Sequence, residues 1–416
     1  MFPITKGSAF DEDGSSIVVA KDHGWPSVVG VAVEVVSVLG WIGNAIKPVT
    51  AGGGDALLFI DHRGCDTAEG PNPRRIGRYD GRPEAPSPLG GFRVLRTAVI
   101  TLTLYVRQEC HLCAAAEQLL GPLAAGMGVT LELLDIDDPG TDSLLRAHYD
   151  TAVPVLHLNG YEIARHRIEP ATVRSRVAFA RTTVVVLSKF PTPGKVKTRL
   201  TVGDRAITPF QAAAVHRASL LHLLARLGKL RPCRLVLCFD PPESATDFAE
   251  LLRANGRSAE LIPQASGDLG DRISAAHQTV SKGGSLPLLR NSVLYLGVDS
   301  PDVPDGHLLA AGAILAESGA TLGPTPDGGY WCMGLGAELP VRELLHGIPW
   351  SSGREYTATL ERLTGNGYPC PPSPAWDDVD HPVDLFRLMD RLARSDRQDD
   401  RELHGALKVA LGGNPS

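Results

Sequence analysis

The sequence of 416 residues shows no surplus of positive charge, no visible secretory signal, no internal repeat and only one close pair of cysteines. Each absence narrows the field. A formal charge of −6 argues against nucleic acid as the main partner, since such proteins carry excess Lys and Arg to neutralise phosphates. The N-terminus, MFPITKGSAFDEDGSS, is acidic and has no basic stretch leading into an apolar core, so no secretory signal is expected. The seven cysteines are an odd number, which fits a reducing, cytoplasmic setting better than a disulfide framework. One apolar run, Val28–Ile46, approaches membrane-spanning length. Glu34 interrupts it and basic flanks are missing, so a buried strand or helix is expected there rather than a membrane segment. The GxxxxGK[ST] spacing of a P-loop is absent.

A chain of this length predicts two or three domains, and 43% apolar residues are enough to give each a core. Composition divides it into three regions. Residues 1–95 hold the apolar run, the glycine cluster Ala51–Asp55, the lone Cys65, and a Pro-, Gly- and Arg-dense stretch from Pro71 to Gly91 that reads as a linker. Residues 98–175 read as β-α-β-α-β-β. Strands are expected at Val99–Val106 and Thr130–Asp138, a helix opens after Cys110, SLLRAHY is a short helix, and Val153–His166 is a hairpin turning at Asn159-Gly160. That order fits a thioredoxin-like sheet. Residues 182–416 carry strand candidates at Thr183–Ser188, Arg234–Asp240, Ala259–Gln264 and Val293–Asp299. Helical patterns lie between them, one capped by Thr208 with Pro209 at its first position, another capped by Ser244 with Gly256 past its end. This alternation predicts an open, mostly parallel, Rossmann-like α/β sheet.

Cys110-His111-Leu112-Cys113 falls between a strand and a helix N-terminus. Unpaired N–H groups and the helix dipole can hold the first sulfur as thiolate, and the second, one turn in, can resolve a mixed disulfide. An inert scaffold is a second reading. A zinc site is a third, although it needs two more ligands and no other close pair exists. The segments LYVRQECHLCAAAEQLL and VPVLHLNGYEI resemble the glutaredoxin-like family. The resemblance implies a thioredoxin fold, redox chemistry at Cys110 and Cys113, and a cis proline at Pro154 facing them.

LSKFPTPGKVKTRL places Lys189, Lys195, Lys197 and Arg199 on a loop leaving the first parallel strand, where α/β folds bind ligands. Two prolines stiffen the loop and Gly194 allows close backbone approach. Four cations there suit a di- or triphosphate, and a solvated basic turn is the plainer alternative. Such phosphates call for a divalent cation with oxygen ligands, Mg²⁺ or Mn²⁺. LYLGVDSPDVP puts Asp299 at a strand end, with Asp302 three residues on; Asp299 could instead be a turn or cap residue. Asp327 begins a tight Asp-Gly-Gly turn and is either a turn former or a substrate contact. Asp377, Asp378 and Asp380 precede a helix whose first turn holds Asp384.

Together PGKVKTRL, GDLGDRI, LGVDSPDVP, GPTPDGGYW, IPWSSGREYTATLERL and DVDHPVDL resemble the bacterial GT-A-fold glycosyltransferases associated with arsenosugar biosynthesis, relatives of nucleotidyltransferases. The resemblance implies that Lys195, Lys197 and Arg199 hold a nucleotide diphosphate. It implies a metal at Asp299 and Asp380, the loop around Asp268 near the nucleotide, and Trp350 beside an acceptor pocket, with Asp327 contacting the acceptor. His381 departs from the Thr of related sequences. The implied reaction is metal-dependent sugar transfer from a nucleotide-sugar donor to a small acceptor. Nucleotidyl transfer from a nucleoside triphosphate and a non-catalytic nucleotide-sensing scaffold are the alternatives. The loop is poorer in glycine than the usual nucleotidyltransferase loop, which favours sugar transfer.

Overall fold

The computed structural model describes residues 100–282 and 292–412, with the backbone of four short strands nearer the N-terminus. These strands, β1 (Ala9–Phe10), β2 (Ser16–Ala20), β3 (Ile46–Thr50) and β4 (Ala56–Ile60), pair antiparallel in the order β1-β2-β4-β3. Pro48 lies in β3 at the sheet's edge, where its missing N–H costs least. Apart from Ile46, the apolar run Val28–Ile46 lies outside the described residues, as do the Ala51–Asp55 glycines, Cys65 and the Pro71–Gly91 stretch. Among the described residues, no helix is long and apolar enough to cross a membrane.

Residues 86–416 form a second compact unit containing two sheets. The smaller has the order β6-β5-β7-β8 and is built from β5 (Thr101–Val106), β6 (Thr130–Asp135), β7 (Val155–Leu158) and β8 (Tyr161–Arg165). β5 and β6 are parallel, and the other pairs are antiparallel. The strand expected to reach Asp138 stops at Asp135. There the carboxylates of Asp135 and Asp138 accept the N–H groups of Asp137 and Gly140 (2.9 and 2.7 Å) and bend the chain. Helix α1 (His111–Met127) ends at Gly128, whose φ of 61° suits a glycine. Together with α3 (Pro170–Ala180), α1 covers Leu102, Leu104, Leu156 and Leu158 on one face; α2 (Ser143–Tyr149) covers the other through Tyr149.

Helix α3 was not expected from the pattern, for a physical reason. Its Val173, Val177 and Ala180 enter the small sheet's core, whereas Phe179 enters the larger sheet's core and packs on Gly312 of α7 (Asp305–Ser318). A helix apolar toward two neighbours has no single stripe to read. The two sheets therefore share a buried helix.

The larger sheet has the order β11-β10-β9-β12-β14-β13. β9 (Thr183–Lys189), β10 (Arg234–Asp240), β11 (Glu260–Pro263) and β12 (Val293–Leu296) are parallel. β14 (Tyr330–Leu335) runs antiparallel to β12 and to β13 (Ala320–Pro324). In β9, Val184 and Val186 face α4 (Pro209–Leu230) and α7; Val185 faces α6 (Leu269–Lys282) and α8 (Val341–Leu345). Burial on both faces explains the unbroken apolar run. This is the expected Rossmann-like α/β layering beside a thioredoxin-type sheet. Thr208 caps α4 in a full capping box with Gln211. Ser244, by contrast, precedes α5 (Ala245–Ala254) without capping it and donates its hydroxyl to the Pro241 carbonyl (2.6 Å). The chain builds outward from β9 to β11 and then returns to β12 on the other side of β9. That reversal opens a crevice beyond the C-terminal ends of β9 and β12.

A third apolar cluster shapes the crevice. Helices α4, α10 (Pro382–Ala393) and α11 (Gln398–Ala410), the last two following α9 (Glu355–Gly365), bury Leu200 and Val379. Burying each side chain stabilises the fold by roughly 2 kcal/mol. It also fixes which neighbours face the crevice: Arg199 beside Leu200, and Asp378 and Asp380 on either side of Val379.

Candidate active site

The loop after β9 runs through Gly194 (φ 74°) and Lys197 (φ 47°) into a 3₁₀ turn over Thr198–Thr201. Lys189 and Lys195 are exposed, in no ion pair among the described residues, and line a cavity of about 720 Å³. Gly194 shapes the loop but does not line the crevice. Lys197 is turned under the loop: its side chain is 5% exposed, and its ammonium donates to the Asp299 carboxylate and the Val379 carbonyl. Arg199 pairs with Asp380. Two of the four cations expected on phosphate are therefore committed to acids.

Asp299 lies three residues beyond β12, on the wall of both this cavity and a neighbouring one of about 870 Å³. Its carboxylate opens to cavity space but sits deep in the fold. Burial acts to raise its pKa, and the charge and hydrogen bond of Lys197, aided by His216 and Arg199, outweigh burial and hold it below the usual value. His216 also lines the crevice; its Nε2 sits 3.0 Å from both Ser188 Oγ and the Lys189 carbonyl, tying down the end of β9. Burial lowers its pKa against the pull of Asp299.

The carboxylates that converge are Asp327, Asp378 and Asp380, each offering an oxygen within 4.8 Å of the others. Asp327 arrives on its turn: one oxygen accepts from Thr325 Oγ1 (2.5 Å) and Gly329 N–H (2.9 Å). Gly328 has φ 90°, and a Cβ there would lie 2.0 Å from the Gly353 carbonyl, so the turn is seated backbone to backbone on the Trp350–Gly353 loop. Burial, then the charges of Asp327, Asp380 and Asp299, push the Asp378 carboxyl up to about 6. Negative charge is gathered there beyond what Arg199 offsets, and hard oxygen donors so arranged fit Mg²⁺ or Mn²⁺. The acid set differs from the expected Asp299–Asp380 pair. Asp380 belongs to it, Asp327 joins it instead of standing apart, and Asp299 is the partner of Lys197. Asp302 is buried against Arg391 and Trp376.

The two cavities meet at Gly297, Asp299, Tyr330 and Trp350, which line both. On the 720 Å³ side, Asp268 caps α6: its carboxylate accepts Asp271 N–H (2.9 Å), and Asp271 returns a bond to Asp268 N–H (3.2 Å). Arg272 stands beside it, held by Gln264 Oε1 (2.9 Å). Sequence reasoning did not single out Arg272, His216, Arg391 or the part played by Asp378. Arg272 lies within the quoted GDLGDRI motif; the others depend on contacts across the fold.

In the smaller sheet, Cys110 and Cys113 are joined as a disulfide with Cα atoms 5.3 Å apart. Cys110 is the N-cap of α1, its sulfur accepting from Cys113 N–H (3.2 Å). The Val153–Pro154 peptide is cis.

Residues 101–178 match a family described as a glutaredoxin-like domain (DUF836), and residues 223–352 match one described as an uncharacterised protein conserved in bacteria (DUF2064). No curated protein matches the sequence. Similar solved structures include a Desulfovibrio desulfuricans G20 protein provisionally described as a nucleotide-diphospho-sugar transferase, at 26% identity over 56% of this chain and 98% of that one, TM-score 0.47. Another is a 4-diphosphocytidyl-2C-methyl-D-erythritol synthase from Anaerococcus prevotii DSM 20548, at 10% identity over 51% and 98%, TM-score 0.32. A third is a Mycobacterium tuberculosis H37Rv protein in complex with manganese, at 15% identity over 54% and 96%, TM-score 0.28.

Proposed function

We propose that the larger sheet and its helices form a metal-dependent transferase that moves a sugar from a nucleotide-sugar donor to a small acceptor. The observation that carries this reading is the convergence of Asp327, Asp378 and Asp380 on the 870 Å³ cavity, which joins at Asp299 the cavity lined by Lys189 and Lys195, both without an ion pair among the described residues. The three aspartates would hold Mg²⁺ or Mn²⁺, which supplies positive charge to a leaving nucleoside diphosphate. Lys189 and Lys195, with Arg272 near the N-terminus of α6, bind and orient the diphosphate. Lys197 keeps Asp299 ionised and ties it to the Val379 backbone, so the acid segment and the strand end keep one spacing. Trp350 and Tyr330, at the junction, border the space left for the acceptor. The motif resemblance to the arsenosugar-associated glycosyltransferases favours sugar transfer. Two unpaired lysines would suit a triphosphate equally well, so nucleotidyl transfer is the second reading. The fused glutaredoxin-like unit is read as a thiol–disulfide domain acting through Cys110 and Cys113. The free Cys233, Cys238, Cys332 and Cys370 fit a reducing, cytoplasmic setting.

The test is a thermal-shift screen of the full chain with and without Mn²⁺. Stabilisation by a nucleotide sugar that requires Mn²⁺ supports the proposal. Stabilisation by a nucleoside triphosphate alone replaces it with nucleotidyl transfer.

A further inference from the structure

Asp302 follows Asp299 by three residues in the same acid-bearing segment, yet its side chain points into the protein and is 5% exposed. An ionised carboxylate in that position is costly unless fully paired. The pairing is specific. Trp376 Nε1 donates to one oxygen (3.1 Å) and Arg391 Nε to the other (2.9 Å). Arg391 then reaches on with Nη1 to Asp377 (2.8 Å), the residue before Asp378. Two further bonds run alongside: Ser300 Oγ donates to the Asp377 carbonyl (2.9 Å), and Val379 N–H donates to the Asp299 carbonyl (2.9 Å). From the opposite side, the buried Arg226 of α4 donates to the carbonyls of Pro301 (3.0 Å) and Val303 and to Asp305. Residues 301–303 are thus gripped on both sides, carbonyls toward Arg226 and the Asp302 carboxylate toward Arg391.

We propose that Asp302 is a positioning residue for the acid cluster: through Arg391 it sets where Asp377, and hence Asp378 and Asp380, stand relative to Asp327. This rests on the metal reading given above. A buried ion pair adds little net stability over an apolar pair of similar size but specifies geometry, and groups that orient metal ligands commonly govern affinity. Asp302 acts without touching the cation.

The experiment is a calorimetric Mn²⁺ titration of the full chain, run beside thermal melting without metal. Asp302→Asn keeps the acceptor for Trp376 and removes the negative charge that pairs with Arg391. Arg391→Lys keeps a charge for Asp302 but cannot also span to Asp377. Asp378→Asn is the control. The proposal expects Mn²⁺ binding weakened by about tenfold or more in both positioning variants, as orienting groups do, with metal-free melting shifted far less than that loss implies. If either variant fails to fold, the other gives the same reading. Mn²⁺ affinity within twofold of wild type in the folded variants, together with lowered melting, would mean a merely structural role and overturn the proposal. Binding lost in Asp378→Asn but kept in Asp302→Asn sinks this proposal alone. A wild-type chain that binds no Mn²⁺ removes the metal reading and this one with it.

Discussion

The two sites proposed for chemistry in this chain are built in opposite ways. The cysteine pair is local: four consecutive residues, one helix cap and one sulfur-to-amide bond define it. The acidic crevice is assembled from distant segments. Asp327 comes from a turn before β14, Asp378 and Asp380 from the stretch before α10, Lys197 and Arg199 from the loop after β9, and Asp299 from the end of β12. A local centre needs little more than its own helix to hold its shape. An assembled one depends on packing far from its charges. Substitutions that leave the charges untouched should therefore disable the crevice while sparing the cysteines.

The largest such effect is expected at Gly328. An alanine there meets the Gly353 carbonyl and must hold φ 90°, so Gly328→Ala should cost roughly 3 kcal/mol in urea unfolding. It should also abolish Mn²⁺-dependent stabilisation, with the Cys110–Cys113 redox titration unchanged. Next comes Leu200→Ala, which empties a fully buried site between the basic loop and the acid segment. It should lose about 2–4 kcal/mol and weaken nucleotide binding, although Leu200 lines neither cavity.

This division explains what could be read in advance. The Cys110–Cys113 motif, the hairpin at Asn159-Gly160 and the Thr208 cap stand where short-range pattern puts them, and so do the parallel strands, except that β12 ends at Leu296 rather than at the expected Asp299. The basic loop and the acid-bearing segments were legible as sequence, because runs of charge at strand ends have few packing uses. Their partners were not. Whether Lys197 meets phosphate or Asp299 depends on a left-handed backbone at Lys197 that no residue type signals. Whether Asp302 faces the crevice or Arg391 depends on a residue 89 positions away. Helix α3 escaped notice because its apolar residues serve two cores.

Helix α4, whose packing buries Leu200, also carries an acid-sensitive group. Burial, then the charge of Arg226, lowers the pKa of His222 on α4 to about 4. The unfolded chain, with an ordinary imidazole, then binds more protons than the folded one between about pH 6.5 and 4. Stability is full above that window and falls as pH drops through it, by about 2 kcal/mol between pH 7 and 5. A His222→Leu variant should flatten this slope in pH-dependent urea unfolding; an unchanged slope would assign the acid sensitivity elsewhere. The smallest effect is expected from Cys110→Ser. It should remove the thiol–disulfide couple yet leave Mn²⁺ affinity within about twofold, since the helix cap it supplies contributes on the order of 1 kcal/mol locally. A larger change in Mn²⁺ binding would show the two centres to be coupled through the shared helix α3.

The most direct measurement is Mn²⁺ titration by calorimetry of the wild-type chain beside Asp378→Asn and Asp380→Asn. Assembly of one cation site from Asp327, Asp378 and Asp380 predicts a single Mn²⁺ bound by wild type, and affinity reduced at least tenfold in each variant. Equal affinity in all three proteins would contradict it.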